Sequence, residues 1–473
     1  MQVRKLTNRR EFLRLSALGA ASAAIIAACA PAAPPTPTPA PAKPAEAPKP
    51  AAQPTPAPAK PAAAGEKVTI TYWDWWAIQG TSPSAKMFEY LPKGFAEREP
   101  NITLNLQNVP FGEYFRKFLA AHAAGDVPDT MHCSVAWGRS FYDRQAIQAL
   151  NDYQKTTPDL TDDKFLPGSL FQSQKAGMRY GVPGEGPDHH GRFYNMQHFE
   201  EAGIDPDREK VLKWTWNDFT EAAVKLARRD SSGKITRSGF LVSTPGAEMI
   251  AAFAGTAGGS FYNKTETGVA FNENNALADA LNWHLELLKK ASQPIGPERQ
   301  DWNQFLQGTT SIVTNGPWAY ISAKEGAPNM RWSQMLMPAR PAPGGKLSTC
   351  IWNNMLVIPT KAKNKDAGWK LLTYWCGLDF MLKRLEFGRW MAPRKDFYDT
   401  QQYKDALKEM PVLANVPLAS SVGTSNVFIE WDPINTVIQP IMEAVMLGDK
   451  KPEQGASEAV VAVNEVLAKA GYK

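Results

Sequence analysis

The stretch Val68 to Trp76, VTITYWDWW, runs an alternating pattern straight into a carboxylate flanked by indole rings. Val68, Ile70 and Tyr72 fall on one face and Thr69, Thr71 and Trp73 on the other, the period of a strand covered on both sides. Asp74, Trp75 and Trp76 then stand at its carboxyl end, where open α/β sheets receive ligands. An aspartate beside indoles suits a solute with hydroxyls and an apolar C–H face, which describes a sugar; a single Trp there also suits a plugged core. The densest polar cluster is Glu185, Asp188, His189, His190 and Arg192. A metal shell there lacks a third His or a Cys nearby in sequence, and adjacent His residues point different ways. Hydrogen bonding of Glu185, Asp188 and Arg192 to ligand hydroxyls is the functional reading, and a solvated loop the plain one. No metal or cofactor is expected. Carboxylates among aromatics also describe a secreted glycoside-active enzyme, whose signature is a pair of them at a cleft, but the chain has no nucleophile elbow, His-Glu-x-x-His or P-loop pattern.

These residues need a scaffold, and the periodicities supply one. After the first strand, Lys86 to Arg98 reads as a helix ended by Pro100, and Ile102, Leu104 and Leu106 alternate as a strand. Phe111 to Ala124 is a helix with Tyr114, Phe115, Phe118 and Leu119 on one face and Gly125 as its stop, and Val127 to Asp129 lead into a short strand through Cys133. Such β-α-β-α-β alternation predicts a mostly parallel sheet flanked by helices. Further along, Thr215 and Asp218 have capping-box spacing before a helix that aligns Phe219, Ala222, Ala223 and Leu226. Leu277, Leu281, His284 and Leu288 share a helix face, which makes His284 a packed residue rather than a ligand. Asp366 to Phe387 reads as one long helix stopped at Gly388, Pro433 to Leu447 as another kinked at Pro440, and Ser457 to Lys469 as the last. Trp283, Trp369 and Trp375 lie in helices, where core packing is the default.

The amino-terminal 65 residues are of another kind. Arg9-Arg10 followed by a short apolar run, Leu15 to Ala28, reads as a twin-arginine export leader over 1–28. Ile26-Ala27-Ala28-Cys29 resembles a bacterial lipobox, which implies cleavage before Cys29 and acylation there. Residues 29–65 are almost wholly Pro and Ala, the composition of an extended tether. The formal charge of +5 divides accordingly: five Lys or Arg against one Glu in 1–28, three Lys against one Glu in 29–65, and about −1 left for residues 66–473. A near-neutral folded part gives no electrostatic case for nucleic-acid binding. Of the cysteines after Cys29, Cys133, Cys350 and Cys376 allow one bridge at most, and the expectation is buried free thiols.

An ordered set of short runs carries a family resemblance across about residues 67 to 470: Ala123 to Asp129, Gln145 to Tyr153, Tyr180-Gly181-Val182-Pro183, Phe193-Tyr194-Asn195, Phe199 to Gly203, Thr215 to Phe219, Phe305 to Gly308, and Asn315-Gly316-Pro317-Trp318. In this order they resemble the extracellular solute-binding proteins of ABC importers, particularly the carbohydrate-binding group that includes maltose-binding protein. The resemblance implies an α/β, two-lobed periplasmic-binding-protein-like fold, each lobe a mixed, mostly parallel sheet flanked by helices, with a hinged cleft between. Lobe I is expected over 66–182 and 353–393 and lobe II over 183–352 and 394–473, with chain crossings near Tyr180–Gly186, Thr349–Leu356 and Met391–Asp396. The ligand is expected at Asp74, Trp75, Trp76, Trp137, Glu185, Asp188, Arg192, Trp318, Trp352, Asn353 and Trp431, with Trp318 and Trp431 where the family stacks rings on sugar.

The function implied is capture of a sugar or oligosaccharide and delivery to an ABC permease by hinge closure, performed by a non-enzymatic monomer held by lipid on the outer face of the cytoplasmic membrane. A glycoside-active enzyme, a binder of a non-sugar polar solute and a cell-wall scaffold are the alternatives. If Cys29 carries the anchor, Cys29→Ser leaves the folded part intact and releases it from membranes once the leader is removed. Retention of that variant in the membrane fraction contradicts the assignment.

Overall fold

Every position on the first strand, Val68–Asp74 (β1), is decided by what covers it. Ile70, Tyr72, Trp73 and Asp74 are buried, with Ile70 and Tyr72 turned toward one apolar cluster and Trp73 toward another. The computed structural model describes residues 67–296, 299–341, 344–423 and 428–472; the leader, Cys29 and the whole tether expected over 29–65 lie outside the described residues. Pro83–Ala96 (α1) begins earlier than expected because the Ser82 hydroxyl accepts from the Ala85 N–H and Pro83 takes the first turn. Ile102–Asn108 (β2) pairs parallel with β1. Phe111–Ala124 (α2) stops at Gly125, whose φ of 77° only glycine adopts without strain. Thr130–Cys133 (β3), fully buried, pairs parallel on the other side of β1, and Ser134 then caps Val135–Asp143 (α3).

Val182–Pro183 (β4) and Asp188–His189 (β5) lead to Gly191–Asn195 (β6). Then follow Trp216–Leu226 (α4), whose Thr215–Asp218 capping box is closed in both directions, Ala247–Thr256 (α5) and Ala276–Ala291 (α6). His284 in α6 is buried with Nδ1 3.1 Å from the Ala280 carbonyl, as a packed histidine should be. Ile312–Asn315 (β7), Trp332–Met335 (β8), Ile351–Trp352 (β9) and Met355–Val357 (β10) complete the strands used below. One sheet has the order β2-β1-β3-β10-β4, parallel at β1 and antiparallel at β10; the other is β7-β6-β8, antiparallel throughout. Among the described strands parallel pairing is confined to the first sheet, with isolated parallel bridges at Thr215–Ala339 and Ser238–Thr310. The chain passes between the two sheets through β5 and returns through β9, and these segments pair with each other as a short antiparallel ribbon.

One expectation needs correcting. The long helix over 366–387 is two, Lys365–Cys376 (α7) and Leu378–Gly388 (α8), because Gly377 is extended at ψ 151° and serves as the cap of both. Apolar spacing runs unbroken across it, so periodicity gave no warning. At the expected third crossing, 391–396, Arg394 donates 3.3 Å to the Cys376 carbonyl at the end of α7. Arg394 is buried between Asp159 and Asp396, and Gln401–Glu409 (α9) still pairs with the end of α8 through Arg389 and Glu409. Asn415 is where the chain meets the second sheet, donating 2.6 Å to the Gln334 carbonyl.

Trp431–Met446 (α10), with Pro440 inside it, and Pro452–Lys469 (α11) end the described chain; α11 starts before the expected Ser457. Cys133, Cys350 and Cys376 are buried free thiols, and no helix among the described residues is long and apolar enough to cross a membrane. Thr215→Ala removes the hydroxyl half of the capping box and is expected to cost about 1 kcal/mol, read as a lower urea midpoint with an unchanged slope. No change in midpoint would make the box irrelevant to stability.

Candidate functional site

Asp74 is placed by β1 with its side chain wholly inside the protein, and it is fully engaged there. Its Oδ2 accepts from the Tyr72 hydroxyl at 2.6 Å and lies 3.1 Å from His132 Nδ1, while Oδ1 accepts from the Trp76 N–H at 2.8 Å. His132 comes from β3, and its Nε2 lies 3.3 Å from Glu185 Oε2 in the first crossing. Glu185 in turn pairs through Oε1 with Arg384 of α8 and accepts 2.8 Å from Asn354 Nδ2 in the returning crossing. Four charges therefore alternate in sign along Asp74, His132, Glu185 and Arg384. Burial opposes charging His132, but Glu185 and Asp74 outweigh it and raise its pKa to about 9. Burial likewise opposes ionising Glu185, and His132 with Arg384 outweigh it, to about 2. Trp75 stacks on the His132 ring at 4.0 Å and 10°, an aromatic face on an imidazolium.

The expected ligand residues divide into two groups. Four of them are committed to the interior. Asp74 and Glu185 are consumed by the charge chain. Trp137 is fully covered, stacks on Tyr114 at 5.1 Å, and donates 3.0 Å from Nε1 to Asp432. Asn353 spends its side chain on Gln172 at 2.6 Å and Ser169 at 2.8 Å, stapling the second crossing. All four lie at strand ends and crossings, positions from which a side chain can point inward as well as toward a ligand. Arg192, also expected at the ligand, is buried beside Met249 and Phe240.

The rest stay partly exposed: Trp75, Trp76, Asp188, Trp318, Trp352 and Trp431. Trp318 meets the His190 ring edge-on at 5.4 Å, His190 lies 6.4 Å from Trp352, and Trp352 meets Trp431 edge-on at 5.7 Å. Four stretches far apart in sequence thus build one aromatic wall. A second set joins Trp75 and Trp76 with Trp390, whose ring is 5.9 Å from that of Trp76. The sets meet through Trp137, 5.7 Å from Trp75 and bonded to Asp432 beside Trp431. Glu430 secures the same junction by accepting from Ser140 at 2.8 Å and from Arg144 at 2.7 and 2.9 Å.

The polar groups along the wall are uncharged or close to it. Burial, with the charge of Glu185 adding, pushes the Asp188 carboxyl up to about 8, so at neutral pH it is mostly protonated and able to donate. His189 and His190 are both held down to about 4, chiefly by burial, and His189 Nε2 is 2.9 Å from Gln334 Oε1. The indole N–H groups of Trp76 and Trp431 are buried without an acceptor. Sequence reasoning missed His132, Arg384 and Trp390. His132 reads as part of a short strand whose full burial only the structure shows, and Arg384 reads as the solvated face of a helix.

A family model for bacterial extracellular solute-binding proteins matches residues 77–377, more than half of the chain. A binding protein of Brucella abortus is 24% identical over 385 residues, covering 81% of this chain and 90% of its own. The arabinooligosaccharide-binding protein of Bacillus subtilis is 23% identical over 352 residues, 70% of this chain and 76% of its own. Among solved structures, an ABC substrate-binding protein of Listeria monocytogenes in complex with cycloalternan superposes with a TM-score of 0.73 at 19% identity, over 85% of this chain and 100% of that one.

The charge chain sets a pH dependence. A raised His132 pKa contributes stability that is complete below its unfolded value near 6.5 and is lost as pH rises through about 9. At about 1.4 kcal/mol per pKa unit the loss is on the order of 3 kcal/mol. Glu185, depressed from 4.5 to about 2, contributes above pH 4.5 and fails as pH falls toward 2. Urea unfolding from pH 6.5 to 9.5 is expected to show the alkaline loss in wild type and a flatter limb in His132→Gln. Parallel limbs would mean that His132 is not charged in the folded protein.

Proposed function

Because this chain belongs to the bacterial extracellular solute-binding protein family, we propose that it captures a carbohydrate outside the cytoplasm and passes it to the membrane permease of an ABC importer. The observation that carries this reading is the aromatic wall of Trp318, His190, Trp352 and Trp431 beside the Trp75–Trp76–Trp390 set. Ring faces suit the C–H face of a sugar, and the unpartnered N–H groups of Trp76 and Trp431, with the protonated Asp188 carboxyl, suit its hydroxyls. The carbohydrates named for the Bacillus and Listeria proteins support the same class of solute.

Binding occurs between two lobes. Asp188, His190 and Trp352 sit on or beside the ribbon that joins the sheets, so a ligand touching them and Trp75 acts on the hinge itself. Closure follows if the ligand contacts both sides better in the closed state than in the open one. The protein is a monomer, held at the outer face of the cytoplasmic membrane by lipid on Cys29 with residues 29–65 as tether. It has no catalytic role. Asp74 and Glu185, two carboxylates a glycosidase would need free at the cleft, are tied to His132 and Arg384.

A thermal-shift screen of oligosaccharides on residues 66–473 identifies the solute, and calorimetry then measures Trp318→Ala. Loss of that ring is expected to weaken binding tenfold or more, about 1.4 kcal/mol, and to leave the melting temperature of the free protein nearly unchanged. A melting temperature many degrees lower with unaltered affinity makes Trp318 a core residue and removes it from the site.

A further inference from the structure

Five arginines are buried among the described residues, and four of them rest on carboxylates. Arg139 pairs with Asp143 and Glu266, Arg179 with Asp162, Arg384 with Glu185, and Arg394 with Asp159 and Asp396. Arg192 has no such partner. Its Nη2 lies 3.3 Å from the Met249 sulfur and its guanidinium 5.3 Å from the Phe240 ring centroid, while Nε and Nη1 have no acceptor. A buried cation without a counter-charge is among the most costly features a fold can carry, and chains retain such features where a ligand completes them.

Among the described residues, none packed around Arg192 supplies the charge. His190 and His284 are neutral, held below the ordinary range by burial first and by the Arg192 charge second. Across the sheet its partners are Thr314 and Met335, and the Thr314 hydroxyl is likewise buried without a partner. Glu248, next to Met249 at the start of α5, folds its carboxylate over Gly246, makes no ion pair with Arg192, and is pushed toward its neutral form by burial. The start of α5 carries no side-chain cap and is joined to α10 by the Ala247 N–H donating 3.1 Å to Asn435 Oδ1. Arg192 follows two residues after His190, whose ring belongs to the aromatic wall, and its charge acts on that ring. One of the Arg192 nitrogens rests on a flexible thioether, which a ligand can displace.

We propose that Arg192 is an anion-recognition residue of the ligand site and that the carbohydrate is acidic, carrying a carboxylate or a phosphate or sulfate ester that displaces Met249 from the guanidinium. This deepens the carbohydrate reading and rests on it. Arg192 sets specificity by charge, and the rings supply the stacking area.

Calorimetry and thermal shift on wild type and Arg192→Met, with matched neutral and uronic-acid oligosaccharides, sugar phosphates, and the non-sugar anions citrate and phosphate, test it. Wild type is expected to bind an acidic sugar at least tenfold more tightly than its neutral counterpart, and Arg192→Met to erase that difference while changing neutral-sugar affinity less than about threefold. Equal or better binding of neutral sugars by wild type overturns the inference and leaves the carbohydrate reading standing. Preference for citrate or phosphate over every sugar overturns the carbohydrate reading and supports the role of Arg192. Independently of any ligand, Arg192→Met is expected to melt at or above the temperature of wild type, because it removes an uncompensated buried charge at similar volume. A melting temperature several degrees below wild type makes Arg192 a structural cation and overturns the inference whatever binds.

Discussion

Four buried charges of alternating sign, Asp74, His132, Glu185 and Arg384, join elements that the chain order keeps far apart. Each would be costly to bury alone, and removing one member of such a set strands its neighbours, a loss of about 3–5 kcal/mol in comparable buried pairs. Together they are neutral. A well-packed apolar replacement of the whole set could be as stable, so stability is not what distinguishes it. What the chain of charges does is fix positions. Asp74 Oδ1 holds the Trp76 N–H and thereby the turn that presents Trp75 and Trp76, His132 provides the surface on which Trp75 stacks, and Glu185 ties the outgoing crossing to Asn354 of the returning one.

That last tie locates the pivot. The Gly184 and Glu185 N–H groups both donate to the Asn354 carbonyl, at 3.0 and 3.1 Å, so the two crossings are joined on the first-sheet side before they pair as a ribbon. Beyond the ribbon, Asp188, His190 and Trp352 stand at the start of the second half, next to Trp318 and Trp431. The proposed hinge thus has hydrogen-bonded anchoring on one side and a two-residue ribbon on the other, next to the proposed ligand contacts. Arg144 and Ser140 on Glu430 and Trp137 on Asp432 join α3 to the start of α10.

Much of this was legible in the sequence where the signal is local. The β1 alternation, the α2 stop at Gly125, the Thr215–Asp218 box and the packed His284 are each decided by residues within a few positions of one another. The aromatic wall was legible in part, because Trp318, Trp352 and Trp431 stand at turns and crossings. Long-range pairing was not. His132 and Arg384 meet Glu185 only through the fold, and an arginine on an amphipathic helix gives no sign of being buried. For the same reason Asp74 and Glu185 read as ligand groups: position at a strand end does not distinguish a carboxylate facing solvent from one facing a histidine on the neighbouring strand. The break at Gly377 is hidden by apolar spacing that continues through it.

The measurement that bears most directly on the organising role of the charge chain is a double-mutant cycle in urea with His132→Gln and Glu185→Gln at pH 6.5, where both groups are ionised on this account. Coupling of about 2 kcal/mol or more between the two substitutions is predicted, since each alone strands a charge that the other removes. Additivity within about 0.5 kcal/mol would show that His132 and Glu185 act independently and would contradict the account.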